Sequence, residues 1–95
     1  MPEKNVLDEI YGIVLDRKKN PKEGSYVCSL LSKGEEKILK KMGEETSEVI
    51  IAAMKRHKPE TIYEIADLWF HTLVLMGHMG ITPEEVYKEL ESRKK

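Results

Sequence analysis

Two pairs of acidic residues have the spacing of metal ligands on helices. Glu45 and Glu48 are three positions apart, and so are Glu64 and Asp67. Residues three apart on a helix lie on one face, so each pair could hold an ion between its carboxylates. If the two helices pack antiparallel across their short connection, the pairs can face each other. Four carboxylates without a thiolate form a hard oxygen site, which suits Mg²⁺ or Mn²⁺ better than zinc.

A helical wheel places Glu45 in the apolar face of its helix. At about 100° per residue, Glu45 falls about 20° from Ile38, within a stripe that also contains Met42, Val49 and Ala53. A carboxylate aimed into a core is costly unless a proton, an ion pair or a metal ion compensates its charge. We therefore predict that Glu45 has such a partner.

The second acidic pair belongs to a helix that is apolar almost all the way round. One narrow polar seam interrupts its apolar surface, and this seam consists of Glu64, Asp67 and His71. Intact charges are seldom buried without a partner, which favours a metal site over a solvated face. We expect the helix to be largely buried, with an apolar stripe formed by Ile62, Ala66, Trp69 and Leu73.

Lysines precede the first acidic pair along the same helix edge. Lys41 and Lys37 lie one and two turns before Glu45, where their ammonium groups could bind the phosphates of a metal-bound substrate. Lys33 and Lys40 could join them from the adjoining loop and face. From the residues alone, the alternative is a solvated face whose lysines pair with glutamates one turn further on.

Composition limits the classes of function. With 95 residues the chain can bury only a thin core, so we expect help from a second subunit. The 16 basic and 17 acidic residues give a net charge of −1, which offers nucleic acid or a membrane no extended charged surface. The single Cys28 excludes an internal disulfide, and the N-terminus lacks the apolar core of a signal peptide. A cytoplasmic protein is the simplest expectation.

Periodicity and helix-end signals predict four to five helices and an all-α fold. The first helix is expected from Glu3 to about Lys18. Ser25 can cap a short helix that ends near Gly34, a residue suited to a left-handed C-terminal position. The remaining helices are expected from about Glu35 to His57, from Pro59 to Met79, and from Thr82 to about Arg93. We expect one domain over residues 1–95, an antiparallel helical bundle completed by homodimerisation.

Several segments resemble a known signature. The pattern Glu44-Glu45-x-x-Glu48 followed by Glu64-x-x-Asp67 resembles that of the all-α nucleoside triphosphate pyrophosphatases, the MazG-like superfamily. Within it, the chain looks like the phosphoribosyl-ATP pyrophosphohydrolases over about residues 5 to 92. The segments that carry this likeness are Ser25-Tyr26, Lys33-Gly34-Glu35, Lys37-Ile38-Leu39-Lys40-Lys41, Gly43-Glu44-Glu45 and Ala66-Asp67-Leu68 with His71. Thr46-Ser47 and Trp69-Phe70 depart from the residues common there, as tolerated packing changes.

The resemblance implies a reaction and its machinery. The reaction would be Mg²⁺-dependent hydrolysis of phosphoribosyl-ATP to phosphoribosyl-AMP and pyrophosphate, the second step of histidine biosynthesis, in a cytoplasmic homodimer. Glu45, Glu48, Glu64 and Asp67 would be the Mg²⁺ ligands. Glu44 is then the candidate for orienting or deprotonating the attacking water.

The remaining candidate residues surround this pattern. For Lys33, Lys37, Lys40 and Lys41 the resemblance favours phosphate binding. Ser25 and Tyr26 could contact the substrate, or could cap and pack the short helix. His71 is predicted to be a hydrogen-bond partner that orients Asp67 or Glu64 rather than a ligand.

Three other interpretations stay open at this point. A house-cleaning pyrophosphatase acting on free or modified nucleotides would use the same metal site. A carboxylate-bridged di-iron bundle would need Glu-x-x-His pairs, which the sequence does not contain. A non-catalytic helical dimer would use the acidic residues for solubility alone.

Overall fold

A computed structural model describes residues 5–94, and every regular element in this range is an α-helix. The all-α prediction is therefore confirmed for the described residues. None of these helices combines the length and the apolarity needed to cross a membrane. In chain order the five helices are α1 (Val6–Lys19), α2 (Tyr26–Lys33), α3 (Glu35–Met54), α4 (Lys58–Met79) and α5 (Pro83–Ser92).

Side chains cap the N-termini of several helices. Ser25 Oγ accepts a hydrogen bond from the Cys28 amide at 3.2 Å and caps α2, as predicted. Thr82 caps α5 and exchanges hydrogen bonds with Glu85, which completes a capping box. Such caps satisfy amide groups that have no partner inside the helix.

Three helix ends differ in detail from the predictions. Helix α1 begins at Val6 with Asn5 as its cap, and Glu3, where it was predicted to begin, lies outside the described residues.

Gly34 ends α2 and begins α3 with φ 92° and ψ −179°, a backbone conformation restricted to glycine, rather than with left-handed helical angles. Helix α3 ends at Met54 instead of His57, because the chain turns at Arg56, whose φ is 59°. His57 caps the next helix, with its Nδ1 accepting from the Glu60 amide at 3.2 Å.

The core lies where α1 and α2 cover the long hairpin formed by α3 and α4. Helices α3 and α4 share the largest interface, and α1 packs mainly against α4. The largest buried cluster draws side chains from the first four helices, namely Val14, Val27, Leu30, Ile38 and Val74. A smaller cluster joins α1 to α4 through Tyr11, Leu73 and Met76.

The expectation that α4 is largely buried is wrong for its N-terminal half. Ile62 and Trp69 are 57% and 54% exposed, and Ala66 is exposed as well. The C-terminal half is buried, from His71 to Gly77. The reason is the placement of α1 and α2, whose contacts with α4 fall on that C-terminal half, at residues such as His71 and Gly77.

Gly77 permits the closest approach between α1 and α4. A Cβ added at Gly77 would lie 2.5 Å from Cγ1 of Val14, which is fully buried and cannot move aside freely. We expect Gly77→Ala to lower the free energy of unfolding by about 1–3 kcal/mol through overpacking, measured by urea denaturation.

The matched control for this prediction is Gly12→Ala in α1, where an added Cβ meets nothing within 4 Å. That variant should gain about 0.5–1 kcal/mol, because alanine favours the helix. In a Val14→Ala background, Gly77→Ala should lower the free energy of unfolding by less than it does in the native chain, because the clashing Cγ1 is absent. Equal stability of the Gly77 and Gly12 variants would contradict the close approach.

Candidate metal centre

The interface between α3 and α4 brings the two acidic pairs together. Carboxylate oxygens of Glu45, Glu48 and Glu64 lie within 4.8 Å of one another. Donor atoms of Glu45, Asp67 and His71 form a second such group, within the same distance. Glu45 belongs to both groups, so all four predicted ligands meet around its carboxylate.

Glu45 occupies the centre of the buried stripe of α3. The buried residues of this helix are Ile38, Glu45 and Ala52, at intervals of seven. Residues spaced by seven keep one side of a helix against its neighbour. Ala53, which the wheel placed in the stripe, is exposed, because the interface is centred on Glu45 itself. Glu45 is accordingly only 4% exposed.

Two carboxylate oxygens at this interface have no hydrogen-bond partner among the described residues. They are Oε2 of Glu45 and Oε1 of Glu64, and both are buried. An unpartnered buried oxygen that carries negative charge is costly, and a cation would compensate it. Among the described residues, the lysine paired with Glu45 is Lys41, whose Nζ lies 3.7 Å from Glu45 Oε1. The donor set and its unpartnered oxygens therefore fit a hard divalent cation.

Crowding of the carboxylates changes how they hold protons. The pKa of Glu45 is raised to about 7, mainly by burial and also by the neighbouring Asp67 and Glu48, while Lys41 acts in the opposite direction. Burial also raises the pKa of Glu64, with Glu48 as the next contributor. Without a cation the cluster reduces its repulsion by binding a proton.

The centre is closed on one side and open on the other. Glu45 and His71 are buried, Glu64 and Asp67 are partly buried, and Glu48 is exposed. A cation held here could keep open positions on the Glu48 side for water or for phosphate oxygens. This is the property that a catalytic site needs and a purely structural site lacks.

His71 uses both of its ring nitrogens within the fold. Its Nδ1 lies 2.8 Å from the Asp67 carbonyl oxygen, and its Nε2 lies 2.8 Å from the Tyr26 hydroxyl. The Asp67 carboxylate oxygen Oδ1 is 3.6 Å from the same Nδ1. His71 therefore connects the candidate metal centre to the start of α2.

The other predicted residues are not part of the two groups of donor atoms. Glu44 is half exposed, and its carboxylate is 3.8 Å from Lys41 Nζ. Ser25 Oγ is engaged in capping α2. Three of the predicted lysines line a shallow surface depression together with Glu36 and Leu39, and these lysines are Lys33, Lys37 and Lys40.

Two features were not found from sequence. The hydrogen bond between Tyr26 and His71 joins residues 45 positions apart, and no local pattern signals it. An apolar groove between α4 and α5 is the other feature. The i, i+4 spacing of Val86 and Leu90 was a signal for it, and the groove is lined by those two residues with Leu7, Met42, Trp69 and Pro83 among others.

Comparison with known proteins gives one consistent family. A family model described as phosphoribosyl-ATP pyrophosphohydrolase matches residues 7–94. A phosphoribosyl-ATP pyrophosphatase of Geotalea daltonii is 53% identical over 89 residues, which cover 94% of this chain and 84% of the relative. The protein of the same name from Sulfurisphaera tokodaii is 50% identical over 91 residues, covering 96% and 97%.

A longer relative contains the same region as one part. The histidine biosynthesis bifunctional protein of Thermoanaerobacter pseudethanolicus is 55% identical over 84 residues, which are 88% of this chain and 39% of that protein.

The raised pKa of Glu45 predicts how the stability of the metal-free protein depends on pH. Because this pKa is about 7 in the folded chain against an ordinary 4.5, the folded state holds the proton more tightly than the unfolded state. The resulting stabilisation, about 3 kcal/mol at most, should be complete below about pH 4.5 and lost as the pH rises through about 7. Urea denaturation in EDTA across this range measures it.

Glu45→Gln isolates this contribution, since the amide does not titrate. As the pH rises, the unfolding free energy of the native chain should fall relative to that of the variant. A difference that stays constant from pH 4.5 to 7.5 would contradict the buried position of the Glu45 carboxyl.

Proposed function

The chain belongs to the phosphoribosyl-ATP pyrophosphohydrolase family, and from this we propose that it hydrolyses phosphoribosyl-ATP to phosphoribosyl-AMP and pyrophosphate in histidine biosynthesis. The observation that carries the proposal is the group of carboxylates at the α3–α4 interface with two unpartnered buried oxygens. Such a group lowers the stability of the fold unless a cation is bound to it. A reaction at phosphate oxygens needs a bound cation, which explains why the chain has this group.

The proposed ion is Mg²⁺, held by Glu45, Glu48, Glu64 and Asp67. When bound, such an ion neutralises charge on phosphate oxygens and lowers the pKa of coordinated water. Four carboxylates with no sulfur ligand suit this ion, and Mn²⁺ has the same preference. The gradient of exposure from buried Glu45 to exposed Glu48 supports access for the substrate from the Glu48 side.

The chain's own groups would position the substrate and the water. Lys41 lies beside Glu45 and could neutralise a phosphate oxygen next to the centre. Lys33, Lys37 and Lys40 would bind phosphates further from it, from their depression at the start of α3. Glu44 is our candidate for orienting or deprotonating the attacking water, since its half-exposed carboxylate lies beside Lys41.

Product analysis tests this proposal. The purified chain with phosphoribosyl-ATP and Mg²⁺ should release pyrophosphate and phosphoribosyl-AMP, and EDTA should stop the reaction. Glu48→Gln should lower kcat by about 100-fold or more, because it weakens the charge stabilisation at the phosphates. Glu91→Gln on α5, an exposed glutamate away from the centre, is the control and should keep full activity.

Other outcomes of this experiment have defined meanings. Preferred turnover of free or modified nucleoside triphosphates would replace the proposal with a house-cleaning pyrophosphatase. Full activity of the Glu48 variant would remove Glu48 from the ligands, and absence of hydrolysis of every substrate would favour a non-catalytic helical dimer.

A homodimer is the second part of the proposal, and the exposed half of the α3–α4 hairpin supports it. We call this half the arm; its exposed apolar side chains are Ile50, Ile51, Met54, Ile62, Tyr63, Ile65 and Trp69. The radius of gyration of the α-carbons is 14.6 Å, whereas a compact chain of this length has about 12 Å. An arm that is apolar and extends from the core suits a symmetric contact with a second copy.

Sedimentation tests the dimer. The native chain, with a mass of 11.0 kDa, should sediment at twice that mass at tens of micromolar concentration. Ile62→Glu should shift it toward the single-chain mass, because it places a charge in the apolar contact. Val6→Glu is the matched control, an exposed apolar residue on α1 outside the arm, and it should leave the mass unchanged. A native chain that sediments at 11.0 kDa would contradict the proposal.

A further inference from the structure

One largely apolar stripe of α4 passes from the exposed arm into the groove between α4 and α5. Its residues fall within about 80° of one another on a helical wheel, and they are Ile62, Ile65, Trp69, Thr72 and Met76. Ile62 and Trp69 are exposed on the arm, whereas Trp69, Thr72 and Met76 line the groove. Because Trp69 belongs to both, the arm and the groove form one continuous surface.

The stripe is nearly symmetric about Trp69. Ile62 lies seven residues before Trp69, and Met76 lies seven residues after it. Helix α4 runs from Lys58 to Met79, so Trp69 is also within one residue of its midpoint. Alternating spacings of three and four are those of a helix that packs lengthwise against another helix. Two antiparallel copies of α4 would place Ile62 of each beside Met76 of the other.

The groove is able to receive side chains from a second chain. Its volume is about 490 Å³. Helix α5 packs mainly against α1, and the Tyr87 hydroxyl is 3.2 Å from both the Asn5 and Asp8 side-chain oxygens. These contacts fix α5 through α1 rather than through α4, and they leave Val86 and Leu90 38% and 56% exposed. The groove therefore has apolar walls on two helices and is open to solvent between them.

Opposite charges lie at the two ends of this surface. The tip of the arm has three exposed cations, which are Lys55, Arg56 and Lys58. None of the three forms an ion pair with another described residue. The first turn of α5 has two exposed acids, Glu84 and Glu85. A basic tip and an acidic turn are thus available for each other.

An antiparallel pairing centred on Trp69 brings these charges together. Lys58 is eleven residues before Trp69, and Gly80 is eleven residues after it. The basic tip of each copy would then be level with the end of α4 in the other copy, where α5 begins with its acidic turn. A parallel pairing would instead bring the two basic tips together, and like charges in contact oppose it.

From this arrangement we infer that the arm of a second copy of this chain occupies the groove between α4 and α5, with the two α4 helices antiparallel and Trp69 on the two-fold axis. The inference rests on the dimer of the proposed function and names the surface that receives the arm. Each arm fills the other copy's groove, so the contact is made twice and is closed. The candidate metal centre stays accessible, because Glu64 and Asp67 lie on another face of α4.

Disulfide cross-linking tests the register. In a Cys28→Ser background, Trp69→Cys places one thiol of each copy at the two-fold axis, close enough for a disulfide between the copies. Mild oxidation should convert most of the protein to a covalent dimer on a non-reducing gel. Tyr63→Cys in the same background is the matched control and should give little covalent dimer. Tyr63 is exposed on the same arm but lies about 100° from Ile62 on the wheel, outside the stripe.

Charge exchange tests the two ends of the contact. Lys58→Glu and Glu84→Lys should each raise the dissociation constant of the dimer by about fivefold or more at low salt, because each places like charges together at both ends. The double variant restores opposite charges and should return the constant to within about twofold of the native value. Sedimentation equilibrium measures all three variants, and circular dichroism checks that each is folded.

A substitution in the wall of the groove tests the groove itself. Leu90→Lys should shift the sedimenting mass toward that of the single chain, because it places a cation in the apolar contact. Ile13→Lys is the matched control, an exposed apolar residue of α1 that does not line the groove, and it should leave the mass unchanged.

Three results would overturn the inference. A native dimer that Leu90→Lys does not weaken would leave the groove to another occupant, such as a small apolar ligand. Equal cross-linking of Trp69→Cys and Tyr63→Cys would contradict the register, and so would a double charge variant that stays as weak as the single ones. If Trp69→Cys is a single chain before oxidation, the charge exchange decides the register alone.

Failure of the proposed function gives different results. A native chain that sediments at 11.0 kDa would remove the dimer itself, and absence of pyrophosphate release would remove the proposed reaction. A native dimer that releases pyrophosphate but fails the cross-linking and charge-exchange tests would overturn the inference alone.

Discussion

The carboxylate of Glu45 in the middle of the α3–α4 interface is the constraint on which the rest of the structure depends. An apolar residue there would complete the stripe that Ile38 and Ala52 begin, one heptad before and one after. The chain instead places a charge that needs a proton or a cation. Its pKa of about 7 expresses this conflict, since burial and two neighbouring carboxylates all disfavour the ionised form. The buried Glu45 carboxylate lowers the stability of the fold, and the same carboxylate makes a site that can hold an ion.

The opposite side of α4 supplies the rigidity that such a site requires. Gly77 lets α1 approach until Val14 fills the space that a side chain would occupy. Tyr26 and Phe70 enclose His71, which in turn bonds to the backbone of Asp67. The second acidic pair is therefore positioned by contacts that come from α1 and α2, far from it in sequence.

The centre lies at the boundary between the covered and uncovered halves of the hairpin. Toward His71 the interface is buried, and toward Ile62 it is exposed. This boundary explains why Glu45 is inaccessible while Glu48 reaches solvent, within one turn of the same helix. A ligand can then be held by buried oxygens and still be approached from outside. The same boundary leaves the apolar arm without contacts inside one chain.

Local chemistry was enough to predict the helices, most of their ends and the position of Glu45. Apolar periodicity and capping residues act over one or two turns, so Ser25, Thr82 and the acidic spacing could be interpreted from sequence alone. The exposure of Ile62 and Trp69 could not, because it depends on how far α1 and α2 extend along α4. The bond between Tyr26 and His71 could not either, since it joins residues whose approach only the packed helices decide. Periodicity shows which face of a helix is apolar, but only the tertiary structure determines what covers that face and where the cover ends.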